Sequence, residues 1–230
     1  VEKIDRKKCT LCQKCVLACP SGALKIVGRS MTIEEVMGIV LKDVAFYRRS
    51  EGGVTLSGGE PLAQPEFAYE LLKDCYDHNV NTAIETCGLA PRNIFEKILP
   101  YTELFLYDIK LVSTEKHQAM TGAKNEVILS NLRWLRQNQA NIILRIPLIP
   151  GINMDLSDYV ALSDLVSELE ITEVNLMPFH QLGKDKYSHL GRAYPLKNQT
   201  DLRLNETARQ RMFEIQEMLQ SRHVKVLIGG

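Results

Sequence analysis

Apolar and polar positions along the chain fall into two regimes. From residue 52 onward, short apolar runs alternate with stretches whose apolar residues recur every three to four positions. The runs predict strands at 53–57, 82–86, 104–109, 142–146, 173–178 and 224–228. The stretches between them predict helices near 66–78, 92–99, 126–137, 156–168 and 205–222. Ahead of these, "SMTIEEV" reads as a helix start: Thr32 can cap, Glu35 stands three residues later and an apolar face follows. Strand–helix alternation predicts an α/β chain with a parallel sheet, open or curled into a partial barrel. Residues 183–204, "GKDKYSHLGRAYPLKNQTDLRL", read as a long loop, and loops of that length are usually functional or mobile.

In such sheets ligands gather at the carboxyl ends of the strands. Those ends here read Ser57-Gly58-Gly59-Glu60, Glu85-Thr86-Cys87-Gly88, Asp108-Ile109-Lys110, Arg145 to Gly151, and Pro178-Phe179-His180. Each could be a helix cap or a solvated rim, but charge recurring at one strand end after another points to one shared site. The segment "VTLSGGEPLAQPE" is the most distinctive: a strand stops at Ser57, and a bare backbone with one carboxylate follows before the next helix.

Composition narrows the function. The 230 residues carry no net charge and are 45% apolar, enough for a core. The neutral balance gives no reason to expect nucleic acid or an anionic membrane surface as a partner, and no apolar run is long enough to span a bilayer. Six cysteines stand at 9, 12, 15, 19, 75 and 87, four of them clustered. Clustering favours metal over a disulfide framework, and with it a reducing cytoplasm. "CTLCQKCVLACP" is C-x2-C-x2-C-x3-C followed by Pro20, the spacing that wraps a [4Fe–4S] cube. Zinc sites more often use two separated cysteine pairs or add histidine, and no histidine lies near this run. Cys9, Cys12 and Cys15 are thus the expected cluster ligands, with Cys19 either completing the same cluster or serving another. Cys75, mid-helix, and Cys87, at a strand end, read as packing residues.

Taken together, the cysteine run, the barrel-like alternation and "SGGEP" resemble the radical S-adenosylmethionine family, and within it the activating enzymes of glycyl radical enzymes, the group that includes pyruvate formate-lyase activase. Segments resembling that group occur in its order, among them "TAIETCGLAP", "LFLYDIKLV", "LRIPLIPGIN" and "MPFHQLGKDKYSHLGRAYPL". The resemblance implies a partial (β/α)6 barrel from residue 29 to 230 that lacks its first strand. It also implies a small ferredoxin-like [4Fe–4S] module over residues 1–28, the second half of a two-cluster insert. One departure stands out. The family holds its catalytic cluster with C-x3-C-x2-C, and no such motif stands apart from the ferredoxin run; Cys15-x3-Cys19 has the first spacing, but position 22 is glycine. The chain therefore looks like the carboxyl-terminal part of an activase, with no certain catalytic residue of its own and no expected turnover alone.

What the resemblance implies for the remaining residues follows its motifs. Gly58 and Gly59 offer backbone to the methionine amino group of S-adenosylmethionine, Glu60 helps fix the turn and Ser57 orients the loop. Glu85 and Asp108 stand near the ligand, where they help hold a monovalent cation. Lys110 and Arg145 lie around its carboxylate and ribose, and His180 lies on its nucleoside side. The implied reaction is reductive cleavage of S-adenosylmethionine to a 5′-deoxyadenosyl radical, which takes a hydrogen atom from a glycine of a partner glycyl radical enzyme. A flavodoxin- or ferredoxin-like donor supplies the electron. Two other readings compete: another radical S-adenosylmethionine enzyme, and a non-catalytic ferredoxin-type electron carrier or binding module.

Overall fold

The computed structural model describes residues 4–5 and 7–229. Six strands form one sheet in sequence order: β1 (Gly53–Leu56), β2 (Asn81–Thr86), β3 (Leu104–Asp108), β4 (Ile142–Leu148), β5 (Glu173–Pro178) and β6 (Lys225–Ile228). Every neighbouring pair is parallel. Parallel neighbours require a crossover, and each gap supplies one. Helices Pro65–Asp77, Arg92–Ile98, Thr114–Thr121, Glu126–Gln137, Leu156–Glu168 and Glu206–Gln220 lie in those gaps. All six expected strands are present. Among the described residues no helix is long and apolar enough to cross a membrane.

The two faces of the sheet differ, because successive side chains on a strand point to opposite sides. One face carries Ile84, Phe105, Tyr107, Leu144, Val174 and Leu176, all fully buried against the helices. The other carries Glu85, Leu106, Asp108, Ile143 and Arg145, which remain partly exposed. That open face is where charge collects. Removing the apolar face from water stabilises the fold at about 25 cal/mol per Å².

The helix start read at Thr32 is realised as a capping box. Thr32 Oγ1 accepts from the Glu35 amide at 3.3 Å, and the Thr32 amide donates to Glu35 Oε2 at 2.8 Å. This begins helix Ile33–Val40, whose Met37 is buried. Cys75, in helix Pro65–Asp77, is fully buried and donates to Met37 Sδ at 3.7 Å. Burial pushes its thiol up to about 11, so it packs as an inert side chain.

The long loop expected over 183–204 is more ordered than a loop. It contains helix Lys184–His189. Tyr187 meets Tyr194 edge-on at a centroid distance of 4.9 Å. Gln181 Nε2 donates to the Leu196 carbonyl at 3.2 Å. Helices Val44–Ser50 and Thr114–Thr121 were also not foreseen, the second because only His117 on it is buried and no apolar stripe marks it. Residues 14–17 form a single helical turn in the cysteine-rich segment, and no described residue from 4 to 28 is buried.

A glycine beside the strand ends is fixed by packing. Gly88, just past β2, has φ +75, and a Cβ there would overlap the Tyr107 hydroxyl. That hydroxyl is itself anchored, donating to the Ile128 carbonyl at 2.7 Å. Gly88→Ala should therefore cost about 3 kcal/mol, the sum of overpacking and an unfavourable backbone region. Thermal unfolding measures it, and an unchanged Tm would refute the clash.

Candidate active site at the strand ends

The sheet register brings the charged strand ends together. Asp108 and Arg145 are direct partners across β3 and β4. Arg145 Nη1 forms a close ion pair with Glu85 Oε1, and its Nε lies 3.9 Å from Asp108 Oδ1. Ser57, at the end of β1, donates its hydroxyl to Glu85 Oε2 at 2.8 Å. One guanidinium thus links β4 to the carboxylates of β2 and β3, and Ser57 ties in β1. The side chains of Arg145, Glu85 and Asp108 are 18%, 30% and 29% exposed, so the cluster is shielded without being closed.

Glu60 points elsewhere. Its Oε1 accepts from Thr86 Oγ1 at 2.8 Å and from the Leu62 amide at 3.1 Å, and its Oε2 accepts from the Cys87 amide at 2.9 Å. Three donors from its own chain clamp the turn after β1 onto the end of β2. Thr86 Oγ1 in turn accepts from the Gly88 amide at 3.0 Å. Between Ser57 and Glu60 the backbone stays bare. Gly58 has φ +128, a conformation open mainly to glycine, and a Cβ at Gly58 or Gly59 would meet no atom within 4 Å. The clamped turn therefore leaves a gap beside the charged cluster into which a ligand can bring its own atoms.

Lys110 flanks the cluster. Its backbone carbonyl is held by Asn153 Nδ2 at 2.9 Å, and its positive charge favours ionised Asp108. Asn153 Nδ2 also bonds the Pro147 carbonyl, joining the ends of β3 and β4. His180, after β5, is exposed, and its Nδ1 accepts from the Leu182 amide at 3.3 Å. The structure therefore gathers Ser57, Glu85, Asp108 and Arg145 around the Gly58–Gly59 turn, sets Lys110 beside them and leaves His180 at the rim. Three supporting residues carried no signal of their own in the sequence: Tyr107, Asn131 and Asn153. Asn131, whose Nδ2 bonds the Gly88 and Ala90 carbonyls at 2.9 and 2.8 Å, lies in a helix far along the chain.

The two carboxylates titrate in opposite directions. Burial raises Asp108, and the like charges of Glu85 and Glu60 add to it, against Lys110 and Arg145. Burial alone would raise Glu85 too, but hydrogen bonds from Ser57 and Arg145 outweigh it, and its pKa is lowered. Glu85 therefore contributes stability above the unfolded carboxylate range, lost as pH falls through its depressed value. Ionised Asp108 costs stability near neutral pH, and that cost disappears as pH falls through its raised value. Asp108→Asn should raise Tm at pH 7 by roughly 2 °C, about 0.5–1 kcal/mol, with the gain vanishing in acid. Calorimetry of both chains across pH checks it, and a lower Tm at pH 7 would contradict it.

The cysteine-rich segment presents Cys9, Cys12 and Cys15 exposed and Cys19 half-buried. Among the described residues no group of three or more His, Cys, Asp or Glu side chains stands converged on a metal position. The chemistry of the donors suits an iron–sulfur cluster: soft sulfur ligands in one short stretch. The Ser21 hydroxyl, helped by backbone amides, draws the Cys19 thiol down to about 7, and the Lys14 amide lowers Cys12. Both shifts favour the thiolate that a metal binds.

A sequentially ordered parallel sheet with charged strand ends and a Gly-Gly turn defines a class, and comparison with known proteins identifies it. The model of the radical SAM superfamily matches residues 7–162. The (2S)-3-sulfopropanediol dehydratase activating enzyme of Klebsiella oxytoca is 39% identical, covering 98% of this chain and 72% of that protein. The choline trimethylamine-lyase activating enzyme of Oleidesulfovibrio alaskensis is 43% identical over 77% of this chain. The chain spans 59% of the length of that enzyme. It also spans 63% of an isethionate sulfite-lyase activating enzyme from the same organism. Among solved structures, a domain of pyruvate-formate lyase-activating enzyme from Bacteroides vulgatus superposes with a TM-score of 0.63 at 29% identity. That match covers 78% of this chain and 99% of the other. The chain belongs to the radical SAM superfamily, among the glycyl radical enzyme activating enzymes. Membership implies S-adenosylmethionine and a [4Fe–4S] cluster.

Proposed function

We propose that this chain binds S-adenosylmethionine across the ends of β1 to β5, as part of an enzyme that activates a partner glycyl radical enzyme. The observation that carries the proposal is the Ser57–Glu85–Arg145–Asp108 network set against the open Gly58–Gly59 turn. A sulfonium amino acid carries both signs of charge, and the network offers both. Carbonyls of Gly58 and Gly59 accept from the α-amino end. Glu85 and Asp108 offset positive charge and offer oxygens to a monovalent cation. Arg145 and Lys110 serve the carboxylate and ribose, and His180 borders the nucleoside. Ser57 and Glu60 hold the turn in place, the first through Glu85 and the second through Thr86 and Cys87.

Cys9, Cys12 and Cys15, with or without Cys19, hold a [4Fe–4S] cluster in a ferredoxin-like module over residues 1–28, and residues 29–230 form the S-adenosylmethionine-binding partial barrel. That cluster would relay electrons toward the separate C-x3-C-x2-C cluster with which the family splits S-adenosylmethionine and takes a hydrogen atom from a glycine of the partner; this chain lacks that motif and is not expected to turn over alone. A flavodoxin- or ferredoxin-like protein is the donor, and the thiols require a reducing cytoplasm. The partial barrel shields the ligand's reacting end from water, and Lys186 of helix Lys184–His189 acts on Glu85 electrostatically.

Equilibrium binding of S-adenosylmethionine to the anaerobically reconstituted protein tests the proposal. One ligand per chain is expected, weakened roughly 30-fold by Arg145→Gln, because one charge-assisted hydrogen bond to a ligand carboxylate is worth about 2 kcal/mol. No binding, or binding indifferent to Arg145, would set the reading aside in favour of a plain electron carrier.

A further inference from the structure

One buried polar group on the open face takes no part in the network described. Asn175, in the middle of β5, is only 8% exposed, and among the described residues its Oδ1 has no hydrogen-bond partner. Its strand neighbours Val174 and Leu176 point into the apolar core, so Asn175 points to the opposite side. Register places it: Asp108 pairs with Arg145, Arg145 with Asn175, and Asn175 with Leu227. The four residues form one row across the face that carries the charged cluster. Asn175 lies one strand beyond Arg145, roughly 4.8 Å further along the sheet. A buried acceptor without a donor costs stability, and folded chains rarely keep one without a use.

The row changes character along its length. On β3 and β4 it is ionic, through Asp108 and Arg145. On β5 and β6 it offers one neutral acceptor, Asn175, beside an apolar side chain, Leu227, that is 43% exposed. S-adenosylmethionine changes in the same sense: its amino-acid end is charged, and its nucleoside is uncharged, largely apolar and edged with N–H and O–H donors. With the amino-acid end beside Gly58, Gly59 and Arg145, the nucleoside extends towards β5.

We infer that Asn175 is a specificity residue for the nucleoside, its Oδ1 accepting a hydrogen bond from a sugar hydroxyl or the exocyclic amine of the base. This rests on the S-adenosylmethionine reading above, and it adds a residue and a ligand group to it. The acceptor is left unpaired in the free chain and is satisfied by the ligand.

The test measures affinity and stability together, using the thioether S-adenosylhomocysteine, its 2′-deoxy and 3′-deoxy forms and its inosine counterpart. Asn175→Leu keeps the side-chain volume and removes the amide. It should weaken binding of the thioether roughly tenfold, the worth of one hydrogen bond to a buried acceptor, in titration calorimetry. The free variant should unfold at the same or a higher temperature than the parent chain, because an unsatisfied group has been removed. One of the three altered ligands should bind the parent roughly tenfold more weakly and be indifferent to the substitution, which names the donor. Equal affinity of parent and variant for the thioether would overturn the inference. So would a fall in Tm, which marks a structural role, or a loss of affinity shared equally by all four ligands, which marks distortion. If the parent chain binds none of them, the S-adenosylmethionine reading falls and this one with it, whereas binding by the parent that Asn175→Leu leaves unchanged removes this inference alone.

Discussion

Gly59→Val is expected to abolish S-adenosylmethionine binding while leaving the fold untouched. The space beyond the Gly59 Cα is empty, with no atom within 4 Å of a Cβ, and Gly59 does not require the left-handed backbone that Gly58 adopts. The Cβ of a valine there has open space around it in the free chain, and the substitution should move Tm by less than about 2 °C, the range of a surface substitution. With ligand present, the same branched side chain fills the gap beside Ser57, Glu85 and Arg145 where the amino-acid end must lie. Loss of the close approach removes several charge-assisted hydrogen bonds at once, so affinity should fall more than about 100-fold. Gly58→Val is the contrasting case, since its φ of +128 makes the substitution a backbone penalty as well. Equilibrium dialysis and thermal melts of both variants decide the matter. Retained binding by Gly59→Val would mean that the turn does not border the ligand.

The second large effect concerns iron. Anaerobic reconstitution should load the chain with one cluster, roughly four irons and four sulfides, because one cysteine run is available to hold it. Cys12→Ala should abolish that iron, as Cys12 sits at the middle of the spacing and its thiol is already lowered. Cys75→Ala should leave iron unchanged, because the Cys75 thiol is sealed in the core against Met37. Cys19→Ala distinguishes the two alternatives for that residue: reduced iron if it completes the cluster, full loading if it does not. Two clusters per chain, or zinc in place of iron, would overturn the assignment.

The strands were legible because each is a compact apolar run bounded by turn residues, and the parallel sheet followed from their alternation with helices. Boundaries failed where a local rule was overridden. Strand β4 continues through Pro147 to Leu148, although proline cannot donate to a ladder. Its carbonyl is nevertheless used, accepting from Asn153, and Met177 pairs alongside it. Helix Lys184–His189 was read as loop because no apolar stripe marks it. Charged strand ends could be picked out as candidates one by one, since each interrupts an apolar run. Their contact partners could not. That Glu85 turns to Arg145 while Glu60 turns back onto Thr86 and Cys87 depends on how far the β1 turn folds over β2. Asn175 was hidden for the opposite reason: in "EVNLMP" it looks like a blemish in a buried strand, and only register with Arg145 gives it a place.

The strict sequence order of the sheet has a consequence for how the protein is made. Among the described residues each strand pairs only with the strand before and after it in the chain, so no pairing has to wait for a strand further along. Folding can then advance during synthesis, one strand at a time behind the ribosome. The charged cluster matures in step: Ser57 and Glu85 can meet once β2 has emerged, Asp108 and Lys110 arrive with β3, and Lys110 is the one positive charge offsetting the two carboxylates until β4 delivers Arg145. A nascent chain paused between β3 and β4 therefore holds an electrostatically unfinished sheet, and release of strain on arrival of one arginine gives the later strands a finished template on which to dock.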